Sequence, residues 1–378
     1  VPATPILFCS HVVELGGAEM VLLDLLRELD REQFTPHLAV PGDGPLAQQA
    51  AELGVELHEV PLAGRSKLGK AWAAFRCRGP LRTLAARLDA HVLVANSMIA
   101  GYAAAMARRP GLACVWHLHT VTRSRIAQRA LSNADFVIAP SQAGLDEAQV
   151  QNGVLIPNGV PVRFFDATSE GDLRAQHGIP EGAPLLGILG RLDPHKGHDE
   201  LLRSLAEDLG LPQAPHLVIA GGELFADAHA RLGGYGEHLR REVARLGLDQ
   251  RVHWLGEVGD TAPLLGQLDL LAVPSTAAES APRTIAEAQA AGCPVVASAV
   301  GGIPAMLQQG EAGLLAGTGA SVSLHAGLQR ALSDEEWRAK AVHTARQYAD
   351  ANYRMSAFAR RCEAVFAQAN AAAMSAMS

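Results

Sequence analysis

The chain has 378 residues, 48% of them hydrophobic and 19% charged, with a formal net charge of -7. That length suits two domains of about 150 to 200 residues each, and the composition excludes a disordered chain. The acidic balance argues against a dedicated nucleic-acid binder.

In chain order, the first half alternates short apolar runs with amphipathic stretches. The spacing predicts strands over 6–11, 37–40, 55–60, 91–95, 113–117, 136–139 and 154–156, with helices over 19–29, 46–53, 80–88 and 142–149. Strand and helix in this alternation argue for a parallel sheet covered by helices on both faces. A turn-rich segment, Pro157 to Pro184, reads as the inter-domain linker. The rhythm then restarts, with strands over 185–189, 217–220, 252–255, 270–273, 294–297 and 313–315. Its helices are expected over 198–207, 237–246, 283–291, 321–332 and 334–348, and a last helix over 352–368. The low-complexity tail, 369–378, is expected to fray. The fold class is therefore α/β, two doubly wound domains in tandem over 1–165 and 166–351, with a final helix near 352–370 that can pack back on the first. Ligands of such sheets bind at the carboxyl ends of the strands, here an expected inter-domain cleft.

Cys9, Cys77, Cys114, Cys293 and Cys362 are scattered and form no Cys-x-x-Cys pair, so neither a disulfide frame nor a zinc site is expected. No run of about twenty apolar residues exists; the best, 91–107, is broken by Asn96, Ser97 and Gly101. With no signal-peptide pattern at the start, a cytoplasmic location is expected.

The motifs follow strands. Gly16-Gly17-Ala18-Glu19 opens the first helix, where glycines admit a close ligand and helix amides favour an anion. It is neither Gly-x-Gly-x-x-Gly nor a P-loop. The strand over 113–117 runs into His117-Leu118-His119, and alternation places both histidines on one face; they suit contact with a sugar hydroxyl or a phosphate, or plain packing at a strand end. Gly190-Arg191-Leu192-Asp193-Pro194-His195-Lys196-Gly197 puts a guanidinium fork and an ammonium on one loop, a diphosphate clamp in kind. In the segment 274–288, Glu279 lies on the loop after a strand and Glu287 in the second turn of the following helix. Those carboxylates suit a sugar ring and a ribose diol, and the first-turn amides suit a phosphate.

Taken in order, these pieces resemble glycosyltransferase family 4. Further ones are Ile156-Pro157-Asn158-Gly159-Val160, Val218-Ile219-Ala220-Gly221-Gly222, Trp254-Leu255-Gly256, Ala291-Gly292-Cys293-Pro294 and Gly301-Gly302-Ile303-Pro304. The resemblance implies a GT-B fold of two facing Rossmann-like domains, acceptor-binding then donor-binding, and retaining transfer from a nucleotide-diphosphate sugar. It implies that Arg191 and Lys196 bind the donor diphosphate, that Glu287 holds the ribose, and that Glu279 contacts donor-sugar hydroxyls. Gly17 closes over the diphosphate, His119 lies by the sugar and β-phosphate, and backbone near Gly256 to Val258 reads the base. Gly222 and Thr284 join the donor side, and Asn96 and His117 the acceptor side. Ser280-Ala281-Pro282 departs from the family's usual Gly-Phe-Gly; Pro282 lacks an N–H, for which Arg283 is expected to compensate in part. No Asp-x-Asp occurs, so no metal and no cofactor are expected.

The charge is uneven. Residues 1–60 carry ten acids and two bases, 61–130 twelve bases and one acid, and 161–378 eighteen bases and twenty-five acids. The basic block, with Leu68, Trp72 and Phe75 interleaved, suits an anionic membrane surface or a lipid-linked acceptor at the inner face of the cell membrane; pairing with the acidic 1–60 segment is the alternative. The expected substrates are a UDP- or GDP-sugar and a glycan or lipid-linked acceptor, with no nucleic-acid partner. A GT-B epimerase or phosphorylase, or a non-catalytic sugar-binding protein, are the rival readings.

Overall fold

The structure is a computed structural model that describes residues 2–62, 67–168, 171–207, 214–223, 234–320 and 322–377. Two compact units form: Val1–Gly159 with Arg354–Ser378, and Val160–Tyr353.

The first unit is built on β1 (Thr4–Cys9), β2 (Phe34–Val40), β3 (Glu56–Glu59), β4 (Val92–Ala95), β5 (Ala113–His117), β6 (Phe136–Ala139) and β7 (Gly153–Leu155). They make one parallel sheet in the order β3-β2-β1-β4-β5-β6-β7. Its helices are α1 (Gly17–Glu28), α2 (Pro45–Glu52), α3 (Lys67–Arg87), α4 (Met98–Ala107), α5 (Arg125–Leu131) and α6 (Gln142–Ala148). The second unit begins with α7 (Val162–Phe165) and α8 (Leu173–His177). Its sheet holds β8 (Leu185–Leu189), β9 (His216–Ala220), β10 (Val252–Gly256), β11 (Leu270–Val273), β12 (Val295–Ala297) and β13 (Leu314–Leu315), in the order β10-β9-β8-β11-β12-β13. Around it lie α9 (His198–Ala206), α10 (Tyr235–Arg245), α11 (Ala262–Leu265), α12 (Arg283–Ala291), α13 (Ile303–Met306), α14 (Leu324–Ser333) and α15 (Glu335–Asn352). The last helix, α16 (Met355–Ser375), belongs to the first unit.

The pairings between these strands are parallel, and each crossover is long enough to carry a helix or a return segment. The central strands are buried on both faces and therefore read as continuous apolar runs. Helices on the two faces make two cores per sheet, one around Phe8 and Leu22 and one around Trp116 and Leu81 in the first unit. Strand order reverses between β1 and β4 and again between β8 and β11, and such reversals open a crevice at the carboxyl ends of those strands.

The strands fall within a few residues of their expected places. Three helical expectations are corrected. The helix expected over 80–88 begins at Lys67 and runs through Pro80. No helix was expected over 98–107, yet α4 forms there: Ser97 is its N-cap, accepting from the Ala100 N–H, and Gly101 lets the helix lie against the Trp116 indole. The tail expected to fray continues α16, with Ala369 and Ala373 buried in the first unit's core. The stretch read as a linker holds α7, whose Phe164 is fully buried in the second unit. All five cysteines are buried free thiols. Among the described residues no helix is long and apolar enough to cross a membrane.

Candidate functional site

In the second unit the site is assembled at the carboxyl ends of β8 and β11. After β8 the Asp193 side chain accepts from the His195 N–H and starts a single turn over Pro194–Lys196, which ends at Gly197. Gly197 has φ +77°, and a Cβ there would overlap the Pro274 carbonyl oxygen, so only glycine lets this loop lie against the end of β11. The Thr276 N–H donates to the His195 carbonyl (2.9 Å) and ties the two loops together.

This packing sets Lys196 opposite Glu279. The Lys196 Nζ lies 2.6 Å from Glu279 Oε1, and the Ser275 hydroxyl donates to the same oxygen at 3.1 Å. The Glu279 backbone is held from the other side: the Gly302 N–H donates to its carbonyl (2.8 Å), and Gly301, at φ +58°, has no room for a Cβ beside that carbonyl. Lys196 and Glu279 are each about a quarter exposed, so the pair is reachable by a ligand yet partly desolvated. Arg191 is more open, with its guanidinium 3.9 Å from Asp193.

Pro282 caps α12, and Arg283 and Thr284 are its first residues. Arg283 Nε and Nη2 both lie 3.0 Å from Glu287 Oε1, and both side chains are nearly buried. The Arg283 guanidinium, expected to stand in part for the missing Pro282 N–H, thus also reaches along the helix to Glu287. Gly222 lies beside the Glu257 carboxylate. Val258 lines a separate hollow of about 230 Å³ with Leu173, Leu255 and Pro263.

In the first unit the corresponding place is the crevice side of β1, β4 and β5. Gly16 caps α1, and the buried Glu19 carboxylate accepts the Gly16 N–H. A Cβ on Gly17 would meet nothing within 4 Å, so space is open at the start of α1. Asn96, after β4, donates to the Ala18 carbonyl (3.0 Å), which makes its Oδ1 the acceptor for His119 Nε2 at 2.9 Å. That contact puts a proton on His119 Nε2. His117 lies beneath His119 with ring centroids 4.1 Å apart and packs against Phe358 on its other side. Burial pushes the His117 pKa down to about 4, so its imidazole is neutral, and its Nε2 has no hydrogen-bond partner among the described residues. Asn96 and His117 are 1% and 2% exposed. Both residues expected on the acceptor side are thus covered, and His119 is the group they support.

In the basic block, Arg65 lies outside the described residues. Arg108 and Arg123 pair with Asp135 and Glu147, not with acids of the 1–60 segment. Trp72 and Phe75 are more than half and half exposed on α3, with Arg76 stacked over the first and Arg78 over the second.

Ser275 and Gly301 were not singled out in the sequence. Ser275 follows a strand without a motif of its own, and its role depends on a contact four residues on. Gly301 stands in the Gly-Gly-Ile-Pro piece, but only the packed structure shows what it lies against.

A family model described as Glycosyltransferase Family 4 matches residues 15–164, and one described as Glycosyl transferases group 1 matches residues 169–348. A D-inositol 3-phosphate glycosyltransferase of Nocardioides is 27% identical over 89% of this chain and 85% of its own length. One of Actinosynnema mirum is 33% identical over half of this chain and 45% of its own. Among solved structures, Anabaena HepE in complex with UDP-glucose superposes with a TM-score of 0.81 at 24% identity, over 96% of this chain and 99% of HepE. Sucrose-phosphate synthase from Thermosynechococcus elongatus gives 0.80 at 22% identity, over 98% and 100%. With one half of the family's description matching its first unit and the other half its second, the chain belongs to glycosyltransferase family 4, a glycosyltransferase of the GT-B fold.

Proposed function

We propose that the protein is a retaining, metal-independent hexosyltransferase that moves a sugar from a UDP- or GDP-sugar to a hydroxyl of a glycan or lipid-linked acceptor in surface polysaccharide or glycolipid biosynthesis. The observation that carries this reading is the Lys196–Glu279 pair, held at 2.6 Å by two loops that glycines weld together at the strand reversal. Departure of a nucleoside diphosphate develops negative charge on the phosphates and positive charge on the sugar. Lys196 and Arg191 face the first demand, and Glu279 meets donor-sugar hydroxyls. Glu287 receives the ribose, with Arg283 holding its carboxylate in place. His119, oriented by Asn96, stands on the acceptor side, and the leaving phosphate takes the acceptor proton. Two cations and the amides of α12 do the work that an Asp-x-Asp metal site does elsewhere, and the chain has no Asp-x-Asp. The HepE complexes with UDP and UDP-glucose support a nucleotide-sugar donor. The curated relatives' name points to a phosphorylated acceptor, which the basic block of the first unit also suits.

The test is a panel of UDP- and GDP-sugars, offered with lipid-linked acceptors and inositol 3-phosphate, with and without EDTA. Nucleoside diphosphate release and the anomeric configuration of the product are read. Release from one nucleotide class, unaffected by EDTA and with configuration kept, is expected. An inverted product removes the retaining assignment, and full transfer by Glu279→Ala removes the site.

The exposed Trp72 and Phe75, each under an arginine, favour a seat at an anionic membrane surface, where rings bury and guanidinium groups meet headgroups. Flotation with anionic but not neutral vesicles is expected, and equal flotation with both defeats this seat.

A further inference from the structure

At the edge of the first sheet, away from every residue assigned above, three ligand-type atoms face one another. β2 and β3 pair in parallel with His37 opposite Glu56 and Ala39 opposite His58. Alternation then puts His37, Glu56 and His58 on one face. His37 Nδ1 lies 3.3 Å from His58 Nε2 and 3.3 Å from Glu56 Oε2, and His58 Nε2 lies 3.8 Å from Glu56 Oε1.

We infer that His37, Glu56 and His58 form a binding site for a first-row divalent cation of the zinc class. Donor atoms bound tetrahedrally at about 2.0–2.1 Å from Zn²⁺ are spaced about 3.3–3.4 Å apart. Two of the observed separations, His37 to His58 and His37 to Glu56, match such an edge, and the exposed Glu56 carboxylate, which meets His58 through its other oxygen at 3.8 Å, turns to close the third. Two imidazoles and a carboxylate are a zinc-type donor set, and they leave a fourth position for water or a ligand.

The proton count points the same way. Arg87, the last residue of α3, sits with Nη2 3.3 Å from His58 Nδ1. A guanidinium only donates, so the His58 proton is on Nε2, facing His37 Nδ1. That one proton serves a single contact. The remaining approach, His37 Nδ1 to Glu56 Oε2, then brings lone pair against lone pair. A cation at the common point satisfies all three atoms at once.

Both histidines are nearly buried, while Glu56 is 64% exposed, so the cluster has a rigid floor and an open side. A hollow of about 700 Å³ lined by His58, Glu59, Thr83 and Arg87 adjoins the cluster and gives an entry path. Metal on His58 Nε2 moves the ring proton to Nδ1, which then faces Arg87 donor to donor. Arg87 is exposed and must swing out, so it opposes binding.

The test uses the full, tag-free chain stripped with chelator. Zn²⁺ affinity is measured by competition with a chromophoric chelator, and Co²⁺ is added for its visible spectrum. One equivalent of Zn²⁺ is expected, with a tetrahedral Co²⁺ spectrum that lacks a thiolate charge-transfer band. His37→Ala and His58→Ala are each expected to weaken binding at least ten-fold, and Arg87→Ala to tighten it several-fold. Where a histidine variant fails to fold, Glu56→Gln, at an exposed position, is expected to fold and to bind more weakly. Absence of stoichiometric binding, a thiolate band, or affinity unchanged in Glu56→Gln and in a folded histidine variant overturns the site.

Discussion

Acid is expected to weaken the protein through two buried histidines, one in each unit. Burial lowers the pKa of His117 from 6.5 to about 4. The same cause takes His198, at the start of α9, to about 4, with nearby Asp199 pulling the other way. A folded-state value below the unfolded one means that the unfolded chain binds more protons between about pH 4 and 6.5. The stability at stake is therefore fully present above pH 6.5 and is lost as pH falls toward 4. With those two values, each histidine removes about 2 kcal/mol between pH 7 and pH 5. The perturbation is His117→Leu, which keeps an apolar side chain beneath His119 and deletes the titrating ring. Opening free energies come from hydrogen exchange at pH 7 and pH 5, corrected for intrinsic rates and read separately in peptides of β5 and β9. The wild-type loss in β5 peptides is expected to shrink by about 2 kcal/mol in the variant, with β9 unchanged. His198→Leu is expected to do the converse. Equal pH dependence in wild type and His117→Leu refutes the reasoning, because carboxylates common to both proteins cancel in the comparison.

Three further outcomes follow from the site geometry. Gly197→Ala places an L residue at φ +77° and a Cβ against the Pro274 carbonyl; a loss of at least about 2 kcal/mol in urea denaturation is expected, together with a fall in kcat/KM as Lys196 shifts. Glu279→Gln keeps the shape and the Ser275 contact but removes the charge; kcat for nucleoside diphosphate release is expected to fall about a hundred-fold, more than KM rises. Asn96→Ala leaves the Ala18 carbonyl and His119 Nε2 without their partner; a stability loss of about 1–2 kcal/mol is expected, with a displaced pH–rate profile. Asn96→Asp, which still accepts from His119, is expected to restore the profile better than alanine.

Much of this architecture is legible in the sequence because parallel strands are buried on both faces and their apolar runs end at glycine or proline. Gly190 and Pro274 end β8 and β11, and the loops carrying Lys196 and Glu279 start there. Helices were less legible where the usual contrast between faces is missing. α4 is almost wholly small and apolar, and its polar punctuation, Asn96 and Ser97, turned out to be the strand end and the cap. The alanine-rich end of α16 carries little composition signal, yet its small side chains are what fits against the first sheet. Contacts between distant loops were beyond reach: Lys196 and Glu279 are more than eighty residues apart, and only the packed loops bring them together with Ser275. The His37–Glu56–His58 cluster depends on strand register, and a one-residue slip of β3 against β2 would send Glu56 and His58 to the other face.

The return of α16 also sets an order of events during synthesis. Phe358, Cys362, Val365 and Phe366 complete the core in which Phe8 and Phe34 lie, and Phe366 meets both rings edge-on. Residues 1–159 leave the ribosome first, but their apolar face stays uncovered until about two hundred more residues have been made. The second unit is continuous in the chain and has all its parts by Tyr353. The unit that is encoded second is therefore able to finish first, and the nascent first unit is the species that a chaperone would have to shield.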